Sequence, residues 1–331
     1  MPLAGTIGGG LILAGTNPPR SCRRGGRGWH CWVLVAAVFS GAANLAVAAS
    51  LSVVLSDDSE PYQEAYESIR ARLEGQGHHV SRVYSDRLDS RVLDDERLVV
   101  AVGVHAAESL IPLASRPPVL AILVPRDWYL KTGRPALTEG GRQTASAIYI
   151  DQPFERQAQL IHQAFPDIKR VGLILGVKQA ALLDEVETAM RGQGLTLIRE
   201  TISTQRALIS TLEKVLSSSD VLLALPDPEA FNRTTAQSIF LTSYRYRDPV
   251  LGYSRSLTRA GALLSLHSSP AQVGRQAAEW IASALQDSPV RLPAASHPAY
   301  FSVSVNDQVA RSLGWVLPAE DELVRKLGGE P

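Results

Sequence analysis

A chain of 331 residues with 33 basic and 33 acidic side chains, 45% hydrophobic and 20% charged, has material for one or two domains with a sizeable core. That composition excludes collagen-like, mucin-like and intrinsically disordered classes. Balanced charge also argues against nucleic acid as a partner, which would need clustered excess Lys and Arg to neutralise phosphates.

The first 48 residues read as a secretory leader. Arg20, Arg23, Arg24 and Arg27 precede an apolar run over 29–49, and Ala46 and Ala48 stand at Ala-x-Ala spacing. Cleavage after Ala48 removes four Arg and no acid, leaving an exported chain that is mildly acidic. The competing reading is an uncleaved membrane anchor, since about 20 apolar residues can span a bilayer. Ser40, Gly41 and Asn44 weaken the anchor, and a strand pattern starts at Leu51. Cys22 and Cys31 both lie in the leader, so the exported chain has no cysteine for disulfides or thiolate metal sites.

From Leu51 the pattern alternates between strands and helices. A short apolar run at 51–55 is followed by Tyr62, Ala65, Tyr66, Ile69 and Leu73 at helical spacing over 61–75. Strands follow at 80–84, 98–104, 119–124 and 147–150, with a helix at 106–113. A second series starts after Asp151-Gln152-Pro153: helices at 154–165, 180–191, 208–216 and near 234–244, and strands at 170–175, 195–201, 221–225, 250–253 and 262–266. A helix at 273–285, a Pro-rich linker at 289–298, a strand at 301–305 and a helix at 307–313 complete the pattern. Continuous apolar strands between helices imply parallel sheets covered on both faces. The expected fold class is α/β, with two doubly wound parallel-sheet lobes.

Catalytic signatures are scarce. Gly252-Tyr253-Ser254-Arg255-Ser256 lacks the second Gly of a nucleophile elbow. Gly103 stands alone where a dinucleotide fold needs a Gly-x-Gly-x-x-Gly turn. His78-His79 reads as a pair of surface turn residues, with no carboxylate at ligand spacing. Asp57, Asp58 and Glu60 suit a helix N-terminus better than a cation site. The expectation is no enzyme, no cofactor and no metal.

What recurs is a set of polar or special residues at the carboxyl ends of the strands, where helix N-termini and loop N–H groups converge on ligands in open parallel sheets. These are Ser56, Asp57, Asp58 and Ser59; Val104 and His105; Pro125, Arg126 and Asp127; Gly176, Val177 and Lys178; Asp227 and Pro228; and Tyr253 and Ser254. Singly, His105, Asp227 and Ser254 also suit helix caps, and Arg126 and Lys178 suit solvated surface charges. Two such rims facing each other make a cleft.

The stretches TASAIYIDQP at 144–153, PDIKRVGLIL at 166–175, GALL at 261–264, GRQAA at 274–278, FSVSVN at 301–306 and ARSLG at 310–314 resemble the periplasmic substrate-binding components of ABC transporters, in the branch that includes tryptophan- and tyrosine-type binding proteins. The resemblance covers nearly the whole exported chain. It implies a type I periplasmic binding-protein fold, with a first lobe of 50–151 plus about 270–290, a second of 152–269 plus about 296–318, and a tail at 319–331. Crossovers would fall near 151–153, 268–270 and 289–298.

The resemblance also implies a small-molecule ligand, an inner-membrane ABC permease as partner, and a periplasmic location. The loops at 57–62, 103–107, 176–178 and 227–228 match the family's ligand-contacting loops. Relatives that bind amino acids tend to show Thr-Pro-Ala-Ala where this chain has Val104-His105-Ala106-Ala107, and Asp-Asn where it has Asp227-Pro228. Pro228 removes amide donors from that turn. In the expected site, His105 and Ser254 orient a polar group, the 57–59 loop and Asp227 accept hydrogen bonds, and Tyr62, Tyr149 and Tyr253 form flat walls. The alternative is a periplasmic sensor or accessory protein on the same fold.

Overall fold

Leu51, Val53, Val54 and Leu55 have no solvent-accessible surface, as a strand covered on both faces requires. The computed structural model describes residues 49–113, 116–139 and 144–330, so the leader and its cysteines lie outside the described residues. The strand β1 (Ser50–Leu55) feeds α1 (Glu60–Glu74), which Pro61 opens and whose Ala65, Tyr66, Ile69 and Leu73 share the buried face. Next come β2 (His79–Tyr84), β3 (Val99–Val102), α2 (Val104–Leu110) and β4 (Val119–Val124). The short α3 (Arg126–Trp128), a π turn (Tyr129–Gly133) and α4 (Arg134–Leu137) lead into β5 (Ala145–Tyr149). These strands form a parallel sheet in the order β2-β1-β3-β4-β5.

The second series runs α5 (Phe154–Ala164), β6 (Arg170–Gly176), α6 (Leu183–Gly192), β7 (Thr196–Ile202), α7 (Leu208–Leu216), β8 (Val221–Leu223), α8 (Ala236–Tyr246), β9 (Val250–Gly252), α9 (Arg255–Ala260) and β10 (Leu264–His267). After α10 (Pro270–Ala284) come β11 (Ser302–Val305), α11 (Asp307–Leu313) and α12 (Glu320–Lys326). The second sheet has the order β11-β10-β9-β8-β6-β7. Its edge departs from the all-parallel expectation: β11 pairs antiparallel with β10, because the chain enters it from the far side after the Pro-rich stretch.

Each sheet has an apolar core on both faces. One face of the second sheet packs α5, α6 and α12, and the other packs α7 and α8. In the first sheet, α10 returns to cover the face that α1 covers, and Val273, Ala277, Ala278 and Ile281 join the core of Leu51, Val53 and Leu55. The two helices approach so closely that a Cβ on Gly274 would lie 2.6 Å from the Ala65 carbonyl oxygen. Ser68 Oγ donates to the Ala271 carbonyl at 2.9 Å across the same contact.

Two local features depart from the sequence reading. His78 is buried rather than a surface turn residue, because its Nδ1 accepts the Ala49 N–H at 3.3 Å and ties the residue before β1 to the turn before β2. The polar segment after β4, unassigned from sequence because its helical pieces are too short to show a period, forms α3, the π turn and α4. A bulge precedes it: Leu123 has φ 55°, and Ile122 and Leu123 both face the core shared with α1 and α10. The extra residue re-aims the strand end that carries Arg126.

Packing and burial here make two predictions. Gly274→Ala should lower stability by roughly 1–3 kcal/mol, because backbone cannot yield as a side-chain tip can; a denaturant titration reads it. Asp248 is buried, its Oδ2 accepts from Ser219 Oγ at 3.0 Å, and burial raises its pKa to about 6. A carboxyl raised above its ordinary value of 3.8 in the fold favours the folded state below that value, and this contribution is lost as pH rises through about 6. Asp248→Asn should therefore raise the melting temperature at pH 7.5 and leave it nearly unchanged at pH 4.

Candidate functional site

All parallel strands of a sheet end on one rim, so the loops after β1, β3 and β4 gather on the first sheet and those after β6, β8 and β9 on the second. On the first rim, Ser56 is the organising residue. Its Oγ donates to the Val102 carbonyl at 2.9 Å and accepts the Ala106 N–H at 3.0 Å, so it caps the start of α2 from a different strand. Gly103 is required between them: its φ is 90°, and a Cβ there would meet Ser56 Oγ at 2.5 Å and the Tyr62 ring at 2.9 Å.

Asp57, Asp58 and Ser59 are exposed on this rim. Asp57 caps the turn rather than the helix: its Oδ1 accepts the Ser59 N–H at 2.8 Å, and hydrogen bonding by Ser59 holds its carboxyl below the usual range. Tyr62 is half-buried against Gly103, and desolvation pushes its phenol upward. His105 is exposed in the first turn of α2, which it does not cap.

On the second rim, Asp227 is nearly buried at 3% exposure, and its carboxylate is taken up by backbone. Oδ2 accepts the Gly176 N–H at 2.8 Å, and Oδ1 accepts those of Glu229 and Ala230 at 2.8 and 2.6 Å. The residue therefore ties the loop after β8 to the end of β6. Glu229, absent from the sequence reading, lies 3.4 Å from the exposed Lys178 ammonium, beside exposed Val177. Ser254 caps α9 by accepting the Leu257 N–H at 3.3 Å, and its Oγ lies 2.9 Å from Ser256 Oγ. Tyr253 packs edge-on against Phe231, and burial raises its pKa.

An ion pair spans from the first rim to a helix beside the second sheet. Arg126 Nη1 lies 2.7 and 2.9 Å from the two carboxylate oxygens of Glu185, joining the end of β4 in one sheet to the first turn of α6 beside the other. This hydrogen bond raises the guanidinium pKa. The Arg126 backbone N–H is held in turn by Asp151 Oδ2 at 2.6 Å, and burial raises that carboxyl's pKa.

Behind the rims, the stretches that pass between the sheets are laced together. Gln152 Nε2 donates to Ser268 Oγ at 2.8 Å, and Ser268 Oγ donates to the Tyr300 carbonyl at 2.6 Å. Arg156 donates to Gln152 Oε1 at 2.7 Å and to the Pro298 carbonyl at 3.0 Å, with its guanidinium 4.1 Å from the Phe301 ring centroid. Ser296 still bridges to Ile148 beside β5, so the last passage spans the residues between Ser296 and β11. Tyr149, expected as a wall, is 5% exposed and packs against Tyr129 and His297, leaving little ring for a solute.

Among the described residues, no group of three or more His, Cys, Asp or Glu is arranged to hold a metal ion, and no helix is long and apolar enough to cross a membrane. Two mostly parallel sheets joined by several chain passages define the type I periplasmic binding-protein fold. Solved structures of that class align over most of the chain. One is an ABC domain from Streptococcus pneumonia in complex with L-Trp, at 16% identity and TM-score 0.56, covering 86% of this chain and 100% of that one. Another is a ligand-free, open substrate-binding protein with adhesive properties from Clostridium difficile, at 15% identity and TM-score 0.65, covering 82% and 96%. A third is a periplasmic ribose ABC transporter protein from Conexibacter woesei, at 13% identity and TM-score 0.53, covering 81% and 95%. No curated protein matches the sequence. The model of the ABC transporter substrate binding protein family matches residues 90–325, and the chain belongs to that family.

Asp227→Ala would strand three backbone N–H groups at the second rim. Stability should fall by about 1–3 kcal/mol, and hydrogen exchange at Gly176, Glu229 and Ala230 should accelerate more than exchange in the core of β6.

Proposed function

We propose that this chain is an exported solute-binding protein that captures one small molecule between two lobes and delivers it to an inner-membrane ABC permease, without catalysis. The observation that carries the reading is a pair of parallel sheets with loop-bearing ends, bridged by Arg126 and Glu185 in front of a laced waist. The lobes would be 50–151 with about 270–290, and 152–269 with about 296–318, the first 48 residues being an export leader removed on secretion. A solute shifts such lobes toward closure only through contacts it makes better in the closed arrangement, so residues from both rims must touch it.

The first rim would contribute the loop of Asp57, Asp58 and Ser59, the Tyr62 ring, Gly103, His105 and Arg126. The second would contribute Val177, Lys178, Tyr253 and Ser254, with Asp227 shaping the loop between them. Ser56 and Asp227 support the reading because both commit their polar side chains to fixing rim loops. The L-Trp in the streptococcal neighbour makes amino acids a natural first panel. The Pro228 turn, which lacks Asn amide donors, favours a solute other than an amino acid.

A second reading, a periplasmic sensor or accessory protein, is favoured by one feature: α8 exposes Leu241 at 63% and Tyr244 at 53%, an apolar face outside the rims. The two readings part on solute capture. Mass spectrometry of the native protein and a thermal-shift panel of amino acids, nucleosides, vitamins and sugars should reveal one bound solute. Tyr62→Ala and Tyr253→Ala should each weaken its binding by about tenfold in calorimetry. A panel without a hit, together with an empty native spectrum, defeats the transport reading.

A further inference from the structure

Glu185 lies on α6 and is not part of either strand-end rim, yet its carboxylate is the partner of Arg126. The pair is partly shielded, with side-chain exposures of 31% for Arg126 and 41% for Glu185. Its two ends are anchored differently. Arg126 is fixed from behind by Asp151, whose own carbonyl lies 2.9 Å from His297 Nδ1, so the cation is tied to two of the passages that form the waist. Glu185 rides on a helix whose Leu183 and Val186 are embedded in the core of the second sheet.

We propose that Glu185 is a positioning residue for the solute site: by clamping Arg126 across the gap it holds the two rims apposed and keeps the guanidinium at the mouth between them. This rests on the solute-binding reading above and adds a regulating contact to it. Rotation about the waist that parts the rims must break the pair, because no element carrying Glu185 moves with β4. Intact, the clamp favours apposed rims by the modest factor of a partly exposed ion pair, about two- to five-fold. A bias of that size leaves the rims free to part, and a solute that bridges them adds to it.

Other ion pairs of α6 provide the control. Glu187 pairs with Arg191 and Arg199 at 3.2 Å, and both partners belong to the same sheet's layer. Small-angle scattering of the full chain at low salt and at about 1 M salt, where the screening length is about 3 Å, reads the separation directly. Glu185→Gln should raise the radius of gyration at low salt, wild type should approach the same value at high salt, and Glu185→Asp should fall between them. Glu187→Gln should track wild type at both salts, and melting curves for each variant check that the fold is intact. A Glu185→Gln chain with the wild-type radius at both salts, or a Glu187→Gln chain that expands equally, overturns the proposal. Failure of the solute-binding reading registers separately, as a panel without a hit, and leaves the scattering result standing.

Discussion

Gln152 is the side chain on which the waist depends. Its amide nitrogen reaches Ser268, which leads into α10, and its amide oxygen accepts from Arg156, whose guanidinium also binds the Pro298 carbonyl in the third passage. One neutral amide thus serves as donor to one crossover and acceptor to a cation that holds another. Burial lowers the Arg156 pKa, so its desolvation cost has to be offset locally. The offsets are Gln152 Oε1, a backbone carbonyl and the face of Phe301. An apolar residue at 152 would leave that cation short of an acceptor in a place water reaches poorly.

The same economy governs the rims. A loop at the carboxyl end of a parallel strand has free N–H groups that its own side chains satisfy only in part. Here the partner comes from the neighbouring strand: Ser56 caps α2 from the loop after β1, and Asp227 caps the end of β6 from the loop after β8. Each rim is therefore stiffened sideways before any solute arrives, which reduces the ordering cost of binding. Asp227 shows the limit this sets, since a carboxylate committed to three backbone N–H groups has little left to offer a solute.

The fold was largely legible in the sequence, because buried strands such as β4 and helices such as α11 announce themselves by apolar runs and by period. The branch of the waist was legible only through the family resemblance. What stayed hidden were contacts between residues distant in sequence. Glu185 sits among Leu183, Val186 and Glu187 as an ordinary polar position on an amphipathic helix, and only the approach of the rims makes it a partner of Arg126. Ser56 was legible as a rim residue, a hydroxyl placed directly after a buried strand, but its bonds to Val102 and Ala106 were not. His78 was misread because nothing local shows that Ala49, 29 residues away in sequence, lies 3.3 Å away in space. The antiparallel entry of β11 was invisible for a similar reason: a four-residue strand carries no direction in its composition.

Waist and rims play unequal energetic roles. The waist's hydrogen bonds connect backbone carbonyls, the neutral side chains of Gln152 and Ser268 and the Arg156 guanidinium inside short passages, and they can persist while the sheets rotate as rigid bodies, since each sheet has its own two-faced core. The partly exposed Arg126–Glu185 pair is an ionic contact that such rotation has to break, and it is weak by comparison with either core. A strong clamp would trap the rims together and slow both entry and release. A weak one, placed at the mouth and anchored through Asp151 to the waist, lets the free energy of solute contact decide the balance. On the proposed solute-binding reading, selectivity falls to the rim side chains, which tolerate change because the backbone beneath them is held by Ser56, Gly103 and Asp227.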